Sequence, residues 1–506
     1  MRRAAALLAA GAAVCALPAA PAAASTTQLS ILQDDGQLLD REPAVREARL
    51  DEFRALGADV VKINVDWRRV APAARPSATA DPASYDAVSW APFDAAIAGS
   101  AARGMRVLLT VGGPAPDWAA GGSSEPVEGA LRPDAAEFGQ FVRAVGARYS
   151  GSYRPPAPEP APGGGENPVL PPLPFPPAHA AQSAPLPRVS LWSVWNEPNL
   201  VRFLQPQRDS RRRPLSPHLY RDLYLSAHGG LSATGHGRDT ILLGELLPVG
   251  KAPRSSRSSV RPLEFLRELA CVDRRLRPYR GGAARRRGCD GFRALPGSGV
   301  AVHPYTSGIS APPRTRPRRR DDISISTLSR LTGLLDSLGS RKRLRVRRAM
   351  PVWLTEFGFQ TDPPERFGAD LRRVPAYMAE SEYIAWRNRR VKSVSQYPLV
   401  DDGDSAGFQS GLRFHDGRAK PHVYRAYEMP LHARRASRRT VELFGGVRAA
   451  SGGSVRIESR RRGRGWRRLG SAKLNRRGYF RRRFRVSGGR EYRIVSGGRR
   501  SNRARA

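Results

Sequence analysis

The sequence predicts an α/β protein, a (β/α)8 TIM barrel over residues 25–430 followed by a small all-β, sandwich-like domain over 438–497. Between residues 28 and 429, short apolar segments alternate with amphipathic helical stretches. That order suits a parallel closed sheet better than segregated strands and helices. No Gly-rich phosphate-binding turn follows the first segment, which argues against a doubly wound open sheet. After Met429 the texture changes to short alternating strands separated by Gly-rich turns.

In chain order, Arg2 and Arg3, the apolar stretch 4–17 and the small residues Ala22, Ala23 and Ala24 read as a signal peptide over 1–24. The protein is therefore expected to be secreted, extracellular or wall-associated. No other apolar run approaches the roughly 20 residues of a spanning helix, so no transmembrane anchor is expected. Barrel strands are expected at 28–32, 59–65, 106–111, 189–195, 240–246, 299–303, 352–355 and 391–397. Helices are expected at 44–56, 92–103, 134–149, 217–233, 324–338 and 370–389. The Pro/Gly-rich insertion 151–187 joins a helix to the next strand, which puts it on the bottom face. Cys271 and Cys289 close a short loop that suits one structural disulfide in an oxidising compartment. No second Cys or His pair stands at ligand spacing, so neither a metal nor another cofactor is expected. Strands at 440–448, 454–460, 466–474, 479–486 and 491–495 complete the sandwich, with Arg at most outward positions and a disordered tail at 498–506.

Two stretches carry chemistry. Leu191-Trp192-Ser193-Val194-Trp195-Asn196-Glu197-Pro198 is a buried-strand pattern that stops abruptly in polar residues and a Pro. Pro351-Val352-Trp353-Leu354-Thr355-Glu356 likewise ends an apolar strand in one carboxylate. Both ends fall at the C-terminal mouth, where barrel enzymes keep their sites, and strands four and seven face each other across the barrel. Glycosidic cleavage needs two carboxyl groups flanking the scissile bond, one to protonate the leaving oxygen and one to attack the anomeric carbon or activate water.

With these residues in order, the chain resembles clan A glycoside hydrolases, in particular bacterial members of the family 5 and family 39 type. Supporting motifs are Val65-Asp66-Trp67-Arg68-Arg69, Pro116-Asp117-Trp118, His303-Pro304-Tyr305, Gly411-Leu412, Asp416-Gly417 and Lys420-Pro421. The resemblance covers most of 28–429 and leaves out the sandwich. It implies a retaining glycosidase with Glu197 as acid/base and Glu356 as nucleophile. It further implies that Asn196 bonds the sugar 2-hydroxyl, that Tyr305 orients Glu356 and that His303 lines the sugar site. Trp67, Trp118 and Tyr397 become candidates for stacking on sugar faces, although Trp67 and Trp118 read equally well as core. Where relatives place an Arg on strand two to keep the nucleophile ionised, this chain has Lys62, which keeps the charge but loses the fixed donor fork.

The net charge of +40 draws polyanions, among them cell-wall polymers and acidic glycans, although an Arg-favouring genome would produce it too. Arg202, Arg208, Arg211, Arg212 and Arg213, with Arg314, Arg316, Arg318, Arg319 and Arg320, fall on strand-to-helix loops of the catalytic face, so an anionic oligo- or polysaccharide is the expected partner. No nucleic-acid partner is expected, because the basic segments lack the stacked aromatics of a single-strand platform. The alternative function is a non-catalytic glycan- or wall-binding protein on a degenerate barrel.

Overall fold

The computed structural model describes residues 27–156, 184–346, 348–404, 407–486 and 488–506. The expected signal segment, and residues 157–183 of the expected insertion, lie outside the described residues.

Eight strands form one parallel sheet: β1 (Leu29–Gln33), β2 (Val60–Asp66), β3 (Arg106–Gly112), β4 (Leu191–Val194), β5 (Thr240–Leu246), β6 (Gly299–Val302), β7 (Val352–Leu354) and β8 (Ser393–Gln396). Each lies within two residues of its expected position at both ends. β8 pairs with β1 from Leu29↔Ser393 to Leu32↔Gln396. On its other side the chain entering β8 bonds β7: the Val352 amide donates to Arg390 O (2.8 Å) and the Lys392 amide to Val352 O (2.9 Å). The sheet is therefore a closed barrel. Its strands are apolar on both faces because the outer face meets helices and the inner face meets other strands.

The alternation of side chains places the site. Leu29, Ile31, Val60, Leu108, Leu191, Leu242, Ala301 and Trp353 form an apolar plug inside the barrel, separate from the core beneath the helices. Two residues further along their strands, the inward positions turn polar: Lys62, Thr110, Ser193, His303 and Thr355, each at most 1% exposed. Glu245 joins them through a β-bulge, a register shift between Gly244 and Leu246 with Glu245 at φ 53°.

The C-terminal domain packs two antiparallel sheets. One contains Leu431–Ser437, Thr440–Gly446 and Tyr479–Arg485; the other contains Ser454–Arg460, Arg467–Lys473 and Glu491–Ser496, with two short end strands. Leu443, Val455, Ile457 and Ile494 fill the space between them. Two expectations are corrected. The domain starts at Leu431 rather than 438, because this strand leaves the last helix with almost no linker. The tail expected to be disordered instead adds Arg499–Arg500 and Ala504–Arg505 to the sheet. Buried Ala504, the Ser501 amide bond to Ile494 O (3.0 Å) and the Arg505–Glu491 ion pair hold it there.

The two domains share a polar seam. Arg448 binds Glu382 (2.8 Å), the Ser30 hydroxyl on β1 (3.0 Å) and Tyr427 O (2.7 Å). The Tyr479 hydroxyl donates to Glu382, and Arg477 pairs with Asp59 just before β2.

Cys271 and Cys289 are disulfide-bonded, and the buried Arg221 guanidinium donates to Cys271 Sγ (3.0 Å) and to the carbonyls of Arg287 and Gly288. Replacing both cysteines by Ser should lower the unfolding free energy by about 2–4 kcal/mol in denaturant titration. An equally stable variant would show that Arg221 alone holds the loop.

Candidate active site

β4 delivers the first carboxyl through an unusual backbone. Trp195 and Glu197 have φ of 65° and 39°, left-handed values that cost a non-Gly residue on the order of 1–3 kcal/mol each. The surroundings fix both. The Trp195 amide donates to Val111 O (2.8 Å), its indole N–H to Phe203 O (3.0 Å), and the Glu197 amide to Glu245 O (3.0 Å). A Cβ on Gly113 would stand 2.4 Å from the Trp195 ring, so glycine is what leaves room for the indole. Glu356 arrives directly from β7 through buried Thr355.

The two carboxyls meet. An oxygen of Glu197, an oxygen of Glu356 and a ring nitrogen of His303 all lie within 4.8 Å of one another, and both carboxyls are 7% exposed. Their surroundings differ. Burial pushes the Glu197 carboxyl above its ordinary range, and the nearby Glu356 charge pushes it the same way, against a His303 hydrogen bond of 2.9 Å. Glu356 Oε1 accepts the Tyr305 hydroxyl at 2.6 Å, with His303 Nδ1 3.8 Å from its other oxygen.

Beneath them lies a buried charge network. His303 Nε2 meets Glu245 Oε2 at 2.6 Å, the Thr355 hydroxyl donates to the same oxygen at 2.6 Å, and Lys62 Nζ stands 3.5 Å from it. Burial alone would lower the His303 pKa, but the charges of Glu356 and Glu245 and the hydrogen bonds to Glu197 and Glu245 override it and raise it to about 10. Against burial, Lys62 and His303 hold Glu245 down at about 2. A pKa raised this way favours the charged ring, which can donate from both nitrogens.

Several sequence expectations change here. Lys62 was placed as the cation for Glu356 and as a substrate-binding residue. It is fully buried and serves Glu245 instead, because its inward position lies one layer below the mouth. His303, expected to line the sugar site, is likewise fully buried beneath the carboxyls. Trp67 has no exposed surface and packs on Trp118, Phe138 and Phe141, so it is core and offers no face to a sugar. Trp118 stands edge-on to Trp67 with its indole N–H bound to Pro72 O (3.1 Å). Tyr397 does lie at the mouth. Burial raises its pKa, and the charges of Glu356 and Asp35 raise it further. Asn196 Oδ1 is buried without a hydrogen-bond partner among the described residues. Of the loop arginines, Arg208 is buried on Glu264 (3.0 Å), Arg213 pairs with Asp209 and Arg314 with Glu380. Arg202, Arg211, Arg212, Arg316, Arg318, Arg319 and Arg320 are exposed.

Three participants had no signal that was read. Glu245 reaches the network only through the bulge, although Gly244-Glu245 at a strand end was a readable cue. Asp35 accepts from Asn64 and Gln33, and is raised by burial and by the Glu356 charge against the pull of Lys62. Phe408, 37% exposed, stacks on Tyr305 and stands edge-on to Tyr397. It comes from a loop without a motif. The spacing of Glu197, His303 and Glu356 also matches a divalent-ion site, but both His303 nitrogens are already engaged by carboxylates.

No family model matches the chain, and no curated protein matches it. Solved structures that align with it include Fpglu1 from Fervidobacterium pennivoraus, at 11% identity over 80% of this chain and 95% of that one, with a TM-score of 0.45. A second is GH5_18 from Streptomyces cattleya in complex with GlcNAc, at 15% identity over 80% of each chain and a TM-score of 0.47. A third is a GH30 endoxylanase from Clostridium papyrosolvens C71, at 10% identity over 92% and 95%, with a TM-score of 0.43. Scores this low carry no argument about chemistry, which rests on the side chains themselves.

The network predicts a titration. Stability contributed by the His303 charge is full below its unfolded pKa of about 6.5 and is lost as pH rises through about 10. Glu245→Gln should move the His303 ring titration, followed by NMR, to lower pH, and the alkaline loss of stability should move with it. An unmoved ring titration would refute the network.

Proposed function

We propose that the chain is a retaining glycoside hydrolase acting on an extracellular or cell-wall carbohydrate. The observation that carries this is the meeting of Glu197 and Glu356, one oxygen of each lying within 4.8 Å of the other. Double displacement uses carboxyls about 5–5.5 Å apart, whereas inversion needs roughly 6.5–9.5 Å to admit a water. The asymmetry of surroundings supports separate roles. Glu197, raised by burial and by its neighbour's charge, is the one suited to carry the proton. Glu356 accepts the Tyr305 hydroxyl on one oxygen, which leaves the other for the substrate.

Glu356 attacks the anomeric carbon while Glu197 gives its proton to the departing oxygen, and the glycosidic C–O bond breaks. Glu197, now ionised, takes a proton from water, which attacks the anomeric carbon and frees Glu356. Asn196, next to Glu197 and partly exposed, is the candidate for the sugar 2-hydroxyl. Phe408 and Tyr397 supply the aromatic surface that Trp67 does not. Trp118 keeps an outer position. The disulfide suits export to an oxidising compartment. The exposed arginines of the two mouth loops favour a substrate bearing carboxylate, sulfate or phosphate groups.

With aryl glycosides, Glu356→Ala should abolish turnover, and azide should restore a glycosyl azide of inverted configuration. Glu197→Gln should cost about 10²–10⁴-fold on poor leaving groups, much less on activated ones, and should remove the alkaline limb of the kcat/KM profile. If neither variant changes turnover, or if the wild type binds glycans without cleaving any of a neutral and acidic panel, the hydrolase reading fails in favour of a binding protein. Tyr305→Phe should lower kcat more than it raises KM, since it removes the donor that aims Glu356.

A further inference from the structure

The charge of this protein is unevenly spread. Residues 431–506 hold 25 Lys and Arg against 3 Glu, 25 − 3 = +22, in 76 residues, whereas residues 1–430 hold the other 60 basic and 42 acidic groups, 60 − 42 = +18. A genome that favours Arg codons would enrich arginine everywhere, but it would not empty one domain of its acids. Moreover, each of the three acids is already shared. Glu442 lies with Arg434 and Arg483, Glu458 with Arg456 and Arg493, and Glu491 with Arg460 and Arg505.

At one end of the second sheet this excess lines a cleft of about 740 Å³. Its walls carry Arg460, Arg462, Arg464, Arg490, Arg503 and Arg505, with Glu491 as the one acidic side chain among its described lining residues. Arg460 is anchored on Glu491 and lies over the Trp466 ring at 4.7 Å, and Arg493 covers the same ring at 4.2 Å. The loop over 461–464 and the paired tail thus present guanidiniums from two sides of a folded scaffold. No aromatic side chain lines the cleft among the described residues. It therefore has no platform for a neutral sugar face or for a nucleobase. Forked donors without stacking surfaces fit repeated anionic groups on a flexible polymer.

We infer that this cleft binds an acidic polysaccharide, one carrying carboxylate or phosphodiester groups along its length, and holds the protein on the material it works on. The choice of a polysaccharide rests on the glycosidase reading of the barrel; the anionic character rests on the cleft alone.

The test uses the full chain bearing Glu356→Ala, so that no ligand is cleaved, and measures binding by calorimetry to sodium polygalacturonate, to poly(glycerol phosphate), to dextran and to a single-stranded oligonucleotide. Binding to one or both acidic polymers is expected, and which of them binds identifies carboxylate or phosphodiester as the recognised group. The reversal Arg462→Glu, Arg464→Glu and Arg503→Glu should weaken that binding about tenfold or more without moving the thermal midpoint. If the reversal unfolds the domain, Arg464→Gln with Arg503→Gln should weaken it in the same direction. Undiminished binding by a folded variant, equal binding of dextran, or oligonucleotide binding as tight as that of the acidic polymers would overturn the inference. Hydrolysis by the wild type without such binding would overturn it too and leave the barrel reading intact, whereas binding alongside a wild type that cleaves no glycan would overturn only the barrel reading.

Discussion

Everything at the mouth of this barrel rests on one buried arrangement of charge, in which Lys62 and His303 share Glu245 below the two candidate catalytic acids. Three ionisable groups without solvent are expensive unless each meets its opposite. Here the cost is offset by geometry: Glu245 accepts from His303 and Thr355 on one oxygen, and His303 spends its second N–H on Glu197. With one ring nitrogen engaged from below by Glu245, the other faces Glu197. The ring therefore fixes which Glu197 oxygen stays free, and it adds a positive centre between two acids that would otherwise repel. The strand-two cation acts at one remove, through Glu245 and His303 rather than on Glu356.

The backbone bends where the chemistry demands it. Left-handed conformations at Trp195, Glu197 and Glu245 all occur at the C-terminal ends of β4 and β5, and the Glu197 amide bonds the Glu245 carbonyl. The two strand ends are thus strained together and held by one hydrogen bond, with Gly113 giving the space that Trp195 needs. The inward apolar plug below is regular by comparison. Regular packing supplies the stability; the irregular layer supplies the aim.

Much of this could be read from residues alone, for physical reasons. A parallel barrel strand is buried on both faces, so 106–111 or 240–246 reads as an unbroken apolar run, and a carboxylate closing such a run, as at Glu197 and Glu356, has no apolar reason to be there. What stayed hidden depends on register. Period-two counting sends Glu245 to the wrong face, and only the bulge brings it in. For Trp67 the resemblance implies a sugar face where a core role reads equally well, and the one-turn helix at Trp67–Val70 packs it against Trp118 and decides for the core. Phe408 sits in a loop whose sequence has no period to read. The pairing of the tail 498–506 needs an acid, Glu491, that sequence proximity does not single out.

The seam between the domains bears on how the chain can be divided. Arg448, from the last tenth or so of the sequence, reaches a hydroxyl on the first strand and an acid on the helix that precedes the last one. That first strand is where the cylinder closes, on β8. A piece ending near residue 430 would keep every barrel strand yet leave Glu382 and Ser30 facing an empty socket. The two domains are distinct in architecture, but they should melt together.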